Sequence, residues 1–221
     1  MVDIHNHILY GLDDGSRSIN ETKAMLRAAK AAGVKTLVAT PHVRKAPLNP
    51  DVVRPRYIRT AEMAEAIGLR FLMGAEVFHA VAMEMDCQTL LHHCIEGTNT
   101  LLLEFAYDTL PPNLDRMIIH LQRQGFNLII AHPERYEVMQ RHLSIPKRLV
   151  KLGCELQVDA ESLNGGLFSR SKKCAKQLLK MNLVHNISSD AHQVSDYKQL
   201  KKAMEKYGHM LRHSYFLEEL S

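Results

Sequence analysis

The sequence predicts an α/β domain whose strands close into a distorted seven-stranded (β/α)7 TIM-like barrel. Three observations lead there. Apolar, strand-like runs alternate with helix-like runs along the chain, an order that builds either a doubly wound sheet or a barrel. No Gly-x-Gly-x-x-Gly or Walker loop follows any strand-like run, which removes the usual nucleotide sites of doubly wound sheets. Imidazole and carboxylate residues recur just after successive apolar runs, where (β/α) barrels hold their active sites. The count of strands is about seven, one short of a regular barrel.

Strands are expected near residues 2–6, 36–41, 70–76, 100–105, 127–132, 154–159 and 183–189. Leu37-Val38-Ala39 and Leu128-Ile129-Ile130-Ala131 are apolar at every position, as a parallel sheet covered by helices requires. Helices are expected near 19–32, 53–67, 113–124, 145–152, 169–181 and 195–207. Ser18 and Glu21 read as a capping box for the first, and Gly33 as its left-handed stop. In the third, Leu114, Met117, Ile118 and Leu121 recur at helical spacing and form one buried stripe. The segment 79–99, rich in His and Met, has room for one short helix. Nothing interrupts residues 1–221 as one domain: there is no repeat, low-complexity tract or linker.

Composition narrows the function. With 221 residues, 46% hydrophobic and 24% charged, the chain is of ordinary globular type with a sizeable core. The net charge of +4 is dispersed, and Lys172-Lys173 and Lys201-Lys202 read as solvated helix faces. No nucleic-acid partner is expected, although acidic or phosphorylated substrates are compatible. Apolar runs such as Thr100-Leu101-Leu102-Leu103 fall far short of the ~20 residues that cross a bilayer, so no membrane insertion is expected. No charged-apolar-small leader precedes Asp3, so no secretion signal is expected. Cys87, Cys94, Cys154 and Cys174 show no Cys-x-x-Cys spacing; free thiols in a reducing cytoplasm are the default. None has an arginine six residues later, so the thiolate-phosphatase loop is missing.

The chemistry concentrates at strand ends. His5 and His7 are two apart on a strand and share a face, where two imidazoles can chelate one transition ion. That pair alone does not separate a metal site from polar filling. Its company does: His42, Glu76, Glu104, His132, Asp190 and His192 stand in comparable places. Mixed imidazole and carboxylate ligation suits Mn, Fe or Zn, with carboxylates bridging adjacent ions. Eight such residues exceed the needs of one tetrahedral ion, so two or three ions are expected. Such a site activates water and neutralises charge on a leaving oxyanion, which suits phosphate esters. Arg135 and Arg44 are candidate forks for phosphate oxygens, with an outward salt bridge as the other reading of each. Asp13 and Asp14, before Gly15, are readable as a metal ligand, a general acid or turn residues. His79, His92, His93, His120, His142, His185, His209 and His213 lack such context and are read as structural or surface residues.

At these residues the chain resembles the PHP (polymerase and histidinol phosphatase) superfamily. More narrowly, it is similar to bacterial manganese-dependent tyrosine-protein phosphatases of capsule and exopolysaccharide loci. The matching blocks are Asp3-Ile-His-Asn-His7, Gly11-Leu-Asp-Asp-Gly-Ser16, Ala39-Thr-Pro-His42, Gly74-Ala-Glu76, Leu103-Glu-Phe105, Ala131-His-Pro-Glu-Arg-Tyr136 and Ser188-Ser-Asp-Ala-His192. The resemblance implies the PHP fold, a trinuclear Mn2+ centre (Fe, Co or Zn in its place being compatible) and hydrolysis of phosphotyrosine. It implies as substrate the tyrosine-rich tail of a bacterial tyrosine autokinase that controls polysaccharide export. It makes His5, His7, His42, Glu76, Glu104, His132, Asp190 and His192 metal ligands and Arg135 a phosphate-binding residue. A homo-oligomer is compatible.

The chain departs from that pattern in places. Gln193-Val-Ser-Asp-Tyr197 has no arginine where relatives carry Arg-Pro-Pro, and Asp159-Ala-Glu161-Ser162 adds two carboxylates near a strand end. The segment between His42 and Gly74 is short for the family. Two other readings stay open: a phosphatase of a small ester such as histidinol phosphate, and a non-catalytic module that docks on a kinase.

Overall fold

The computed structural model describes residues 1–166 and 169–220. It has an α/β fold in which every strand pairing is parallel. The strands are β1 (Val2–Asp3), β2 (Thr36–Ala39), β3 (His42–Val43), β4 (Arg70–Met73), β5 (Glu76–Phe78), β6 (Thr100–Glu104), β7 (Asn127–Ala131), β8 (Glu155–Asp159) and β9 (Asn186–Ser188). They form a three-stranded sheet, β1-β2-β4, and a six-stranded sheet, β3-β5-β6-β7-β8-β9. Two expected strands are therefore split. The run 36–41 breaks at Thr40-Pro41, because proline has no N–H for the ladder. The run 70–76 breaks at Gly74-Ala75 and continues to Phe78. A Cβ at Gly74 would lie 3.2 Å from Val38 and 3.5 Å from Thr40, so the strands approach closely there. The expected strand 2–6 is regular only over β1, and beyond it Asn6 makes an isolated parallel bridge with Ala191.

The principal helices lie close to expectation. They are α1 (Ile19–Ala32), α2 (Pro50–Glu65), α5 (Leu114–Arg123), α7 (Ser144–Lys151), α9 (Arg170–Lys180) and α10 (Asp196–Tyr207), with α3 (His79–Glu84) and α4 (Cys87–Leu91) in place of the single helix expected over 79–99. The Asp86 side chain caps α4 by accepting from the Thr89 N–H, which is why that segment divides. In α1 the Ser18 hydroxyl accepts from Glu21 N–H and Gly33 ends the helix at φ 92°. The helix α2 begins earlier than expected, with Asn49 capping and Pro50 in its first turn. Two short helices, α6 (Glu137–Arg141) and α8 (Ala160–Asn164), and a 3-10 turn over Pro133–Arg135 were not expected from periodicity, being too short to show one.

Alternation along the strands divides the core. Leu37, Ala39, Leu101, Leu103, Leu128, Ile130, Leu156 and Val158 face the helices and join the main cluster. The intervening Val38, Leu102, Ile129 and Ala131, with Ile4, form a second cluster on the opposite face. Leu217 and Leu220 pack against this second cluster, and the Thr36 hydroxyl donates to the Leu220 carbonyl at 2.9 Å. The polar face of β8 then stands out. Glu155, Gln157 and Asp159 alternate with its apolar residues and all three are buried. Among the described residues, no helix is long and apolar enough to cross a membrane.

Candidate metal centre

Six of the eight sequence-selected donors lie at the C-terminal end of a strand or in the loop just after it, and the other two begin the short strands that follow β2 and β4. His5 and His7 follow β1, His42 opens β3, Glu76 opens β5, Glu104 ends β6, His132 follows β7, and Asp190 and His192 follow β9. Parallel strands bring these ends to one edge, so residues up to 187 positions apart in sequence become neighbours. His132 and Asp190 hold left-handed backbones, at φ 31° and φ 45°. Such conformations are uncommon in residues with side chains, and here both occur where a strand ends at the cluster.

Glu76 is the hub. Its Oε2 lies 3.4 Å from His5 Nε2, 3.6 Å from His7 Nε2 and 2.6 Å from His42 Nδ1, while Oε1 lies 2.8 Å from His132 Nε2. Asp190 Oδ1 stands 3.3 Å from His5 Nε2 and 3.1 Å from His7 Nε2. Asp14 reaches His42 Nε2 at 3.2 Å and His192 Nε2 at 3.3 Å from the exposed rim. Among the described residues, four overlapping groups have donor atoms within 4.8 Å of one another: His7, Asp14, His42 and His192; His5, His7 and Asp190; His5, Glu76 and His132; His42, Glu76 and Glu104. All eight selected ligands and Asp14 fall in these groups.

The donor set fits divalent transition ions. His5 Nε2, both nitrogens of His42 and Glu76 Oε2 are buried at ion-pair distance from one another or from Asp14 and Asp190, yet none makes an aligned hydrogen bond, and neither does His132 Nδ1. Buried lone pairs left without an aligned donor are costly, so their convergence suits a cation that takes them. Electrostatics agree. Burial opposes a charged His5, yet Glu76 and Asp190 push its pKa up to about 10. Against the same burial, Asp13 and Asp190 hold His7 well above the imidazole range. Burial likewise opposes the Glu76 carboxylate, but the surrounding His5, His132 and His42 hold it well below its usual range.

A ring of less obvious residues orients these donors. His5 Nδ1 lies 2.9 Å from Gln157 Oε1, and the Gln157 amide nitrogen donates to Asp159 at 3.0 Å. Asp159 thereby fixes the amide, and an amide oxygen can only accept, so His5 carries its proton on Nδ1. His7 Nδ1 lies 2.8 Å from Asp13, which also accepts from His42 N–H and Gly15 N–H. Arg135 donates from one nitrogen to Asp190 at 2.7 Å and Asp159 at 3.1 Å, and its guanidinium lies 5.0 Å from the Tyr107 ring centre. Arg44 is bidentate on Glu104, at 2.9 and 3.1 Å. The sequence left Asp13 open among metal ligand, general acid and turn residue, and did not single out Gln157 or Tyr107. Gln157 was findable, since it shares a strand face with Asp159. Glu161, by contrast with Asp159, is exposed.

A family model described as capsular polysaccharide synthesis, CpsB/CapC, matches residues 1–218. The chain belongs to the CpsB/CapC family. Tyrosine-protein phosphatase YwqE of Bacillus subtilis (strain 168) is 32% identical over 201 residues, covering 88% of this chain and 78% of YwqE. Tyrosine-protein phosphatase CpsB of Streptococcus pneumoniae is 27% identical, covering 87% and 83%. In space, the chain is similar to a solved structure from work on those two proteins, described as metal-dependent tyrosine phosphatases. That match has a TM-score of 0.80 and 30% identity, and covers 94% of this chain and 88% of the other. In this CpsB/CapC member Cys94, Cys154 and Cys174 are buried, and burial pushes each thiol up to about 12, which suits them to packing and not to nucleophilic attack.

Proposed function

We propose that this chain is a metal-dependent protein-tyrosine phosphatase. The observation that carries the reading is the convergence of eight imidazole and carboxylate residues, with orphaned buried donor atoms, at one end of the parallel strands. His5, His7, His42, Glu76, Glu104, His132, Asp190 and His192 would hold two or three ions, with Mn2+ the ion of choice for this mixed donor set. When bound, the ions lower the pKa of water and neutralise charge on phosphate oxygens.

The remaining work falls to the chain's own residues. Gln157 and Asp13 keep the Nδ1 protons of His5 and His7 outward, so both Nε2 lone pairs face Glu76 and Asp190. Arg44 holds Glu104 from the open side. Arg135 presents its guanidinium beside Asp190 for the phosphoryl oxygens. Asp14, on the exposed rim against His42 and His192, is the carboxyl placed to pass a proton to the leaving phenol oxygen. The substrate is phosphotyrosine on a bacterial tyrosine autokinase in the cytoplasm.

The architecture belongs to the same reading. The pairs β2/β3 and β4/β5 are consecutive pieces of two strands, and the last strand meets the first through Asp190 N–H to His5 carbonyl, 2.8 Å, and His7 N–H to Ala191 carbonyl, 2.9 Å. These contacts support one distorted seven-stranded barrel over a single domain, residues 1–221. The test is turnover of a phosphotyrosine peptide and of histidinol phosphate, each with chelator and then with Mn, Co, Zn or Mg restored. Metal-restored turnover of the peptide supports the reading; turnover of the small ester alone overturns it.

A further inference from the structure

A cleft of about 660 Å³ runs from the rim of the metal centre between the loop before α1 and the start of α10. Asp14 and His192 form its inner end, and both belong to the donor group that includes His7 and His42. Arg17 and Lys198 stand on its walls, with Val194, Gln193 and Ser195 between. The two cations differ from those nearer the ions. Arg44 and Arg135 are engaged by carboxylates, whereas the Arg17 guanidinium and Lys198 ammonium are exposed and make no side-chain hydrogen bond or ion pair among the described residues. Two carboxylates share the cleft with them: Glu21, whose Oε2 accepts from the Arg17 backbone N–H at 2.7 Å, and Asp14, which faces His42 and His192.

The neighbouring flank of the centre, toward α8, has the reverse character. There a smaller cavity of about 230 Å³ is lined by Asp159, Glu161 and Ser162 beside Arg135. A phosphotyrosine whose phosphate sits at the centre must lead its peptide out across this rim. An acidic residue on that peptide meets two cations without a side-chain partner on the Arg17 side, whereas on the Arg135 side it meets two carboxylates and a single cation already held by Asp159 and Asp190.

We propose that the cleft walled by Arg17 and Lys198 is a peptide subsite that takes an acidic residue flanking the phosphotyrosine, and so sets the direction in which the peptide crosses the centre. The proposal rests on the phosphatase reading. Exposed ion pairs of this kind are individually weak and salt-sensitive, so they bias choice among substrates and leave the chemistry alone.

The test compares three phosphotyrosine peptides on the Mn-loaded full chain: one with neutral flanks, one acidic before the phosphotyrosine and one acidic after it. Expected is a kcat/KM roughly fivefold or more higher for one acidic peptide than for the neutral one, carried by KM and shrinking with added salt. In the R17E/K198E double variant that ratio should fall to one or below, and R17K/K198R should retain it. Equal wild-type turnover of neutral and acidic peptides overturns the subsite while leaving the phosphatase standing. An equal proportional loss on every peptide in R17E/K198E also overturns it. Failure to hydrolyse any of the three peptides overturns the phosphatase reading itself, and the subsite with it.

Discussion

Gln157 holds the Nδ1 of His5 at 2.9 Å, from the middle of the polar face of β8. On the same face Asp159 grips Arg135, and Glu155 accepts from the Ser214 hydroxyl and the Tyr215 and Phe216 N–H groups. One strand therefore orients a donor, steadies a cation and anchors the C-terminal segment, because alternate residues of a strand point the same way.

Replacing Gln157 should loosen the ions without touching a donor. In Gln157→Leu the His5 ring loses its fixed tautomer, and metal affinity should fall by about 10- to 100-fold. Gln157→Glu keeps an acceptor and should retain more. Metal content by elemental analysis, alongside an unchanged far-UV circular dichroism spectrum, checks this.

Gly15 offers a steric test. A Cβ there would lie 2.1 Å from the His7 carbonyl oxygen and 2.4 Å from its Cβ, and neither can move without moving the donor. Gly15→Ala should therefore cost metal binding and activity together. Binding at wild-type affinity would show that the loop relaxes around the added carbon.

Ion binding should stabilise the fold. A ligand present at 100 times its Kd adds ~2.7 kcal/mol to the folded state, so Mn should raise Tm by several degrees. The His5→Ala/His7→Ala double variant should lose that rise and all hydrolysis, while binding of phosphopeptide at Arg135 partly persists. Near-normal turnover in the double variant would refute the metal mechanism.

Acid should destabilise the protein through a residue away from the centre. Burial, aided by Arg212, lowers His185 to about 4, and its Nδ1 accepts the Leu156 N–H at 3.1 Å. Because the folded pKa lies below the ordinary ~6.5, the unfolded chain binds more protons between the two values. The contribution is complete above pH ~6.5 and declines toward pH ~4, by up to ~1.4 kcal/mol per unit. Urea midpoints from pH 7 to 4.5 should fall less steeply in His185→Asn.

The C-terminal segment should matter for stability. Leu217 and Leu220 are buried against the inner cluster, and truncating either to Ala should cost roughly 2–5 kcal/mol. Thermal unfolding of the metal-loaded protein measures the loss.

Much of this protein is legible in its sequence. The strand–helix alternation, the capping of α1 by Ser18 and the location of His5, His7, His42, Glu76, Glu104, His132, Asp190 and His192 all follow from local pattern, since a strand's end is marked by the residues around it. The splitting of 36–41 at Pro41 is local too, and was readable. What the sequence could not decide is which donors share an atom. Glu76 as the hub, Gln157 behind His5, the capture of Arg44 by Glu104 and the tail beneath the sheet all join residues far apart in the chain. Such contacts depend on strand register and on the direction each side chain takes at a strand end. Those are set by packing across the sheets, not by any run of neighbouring residues.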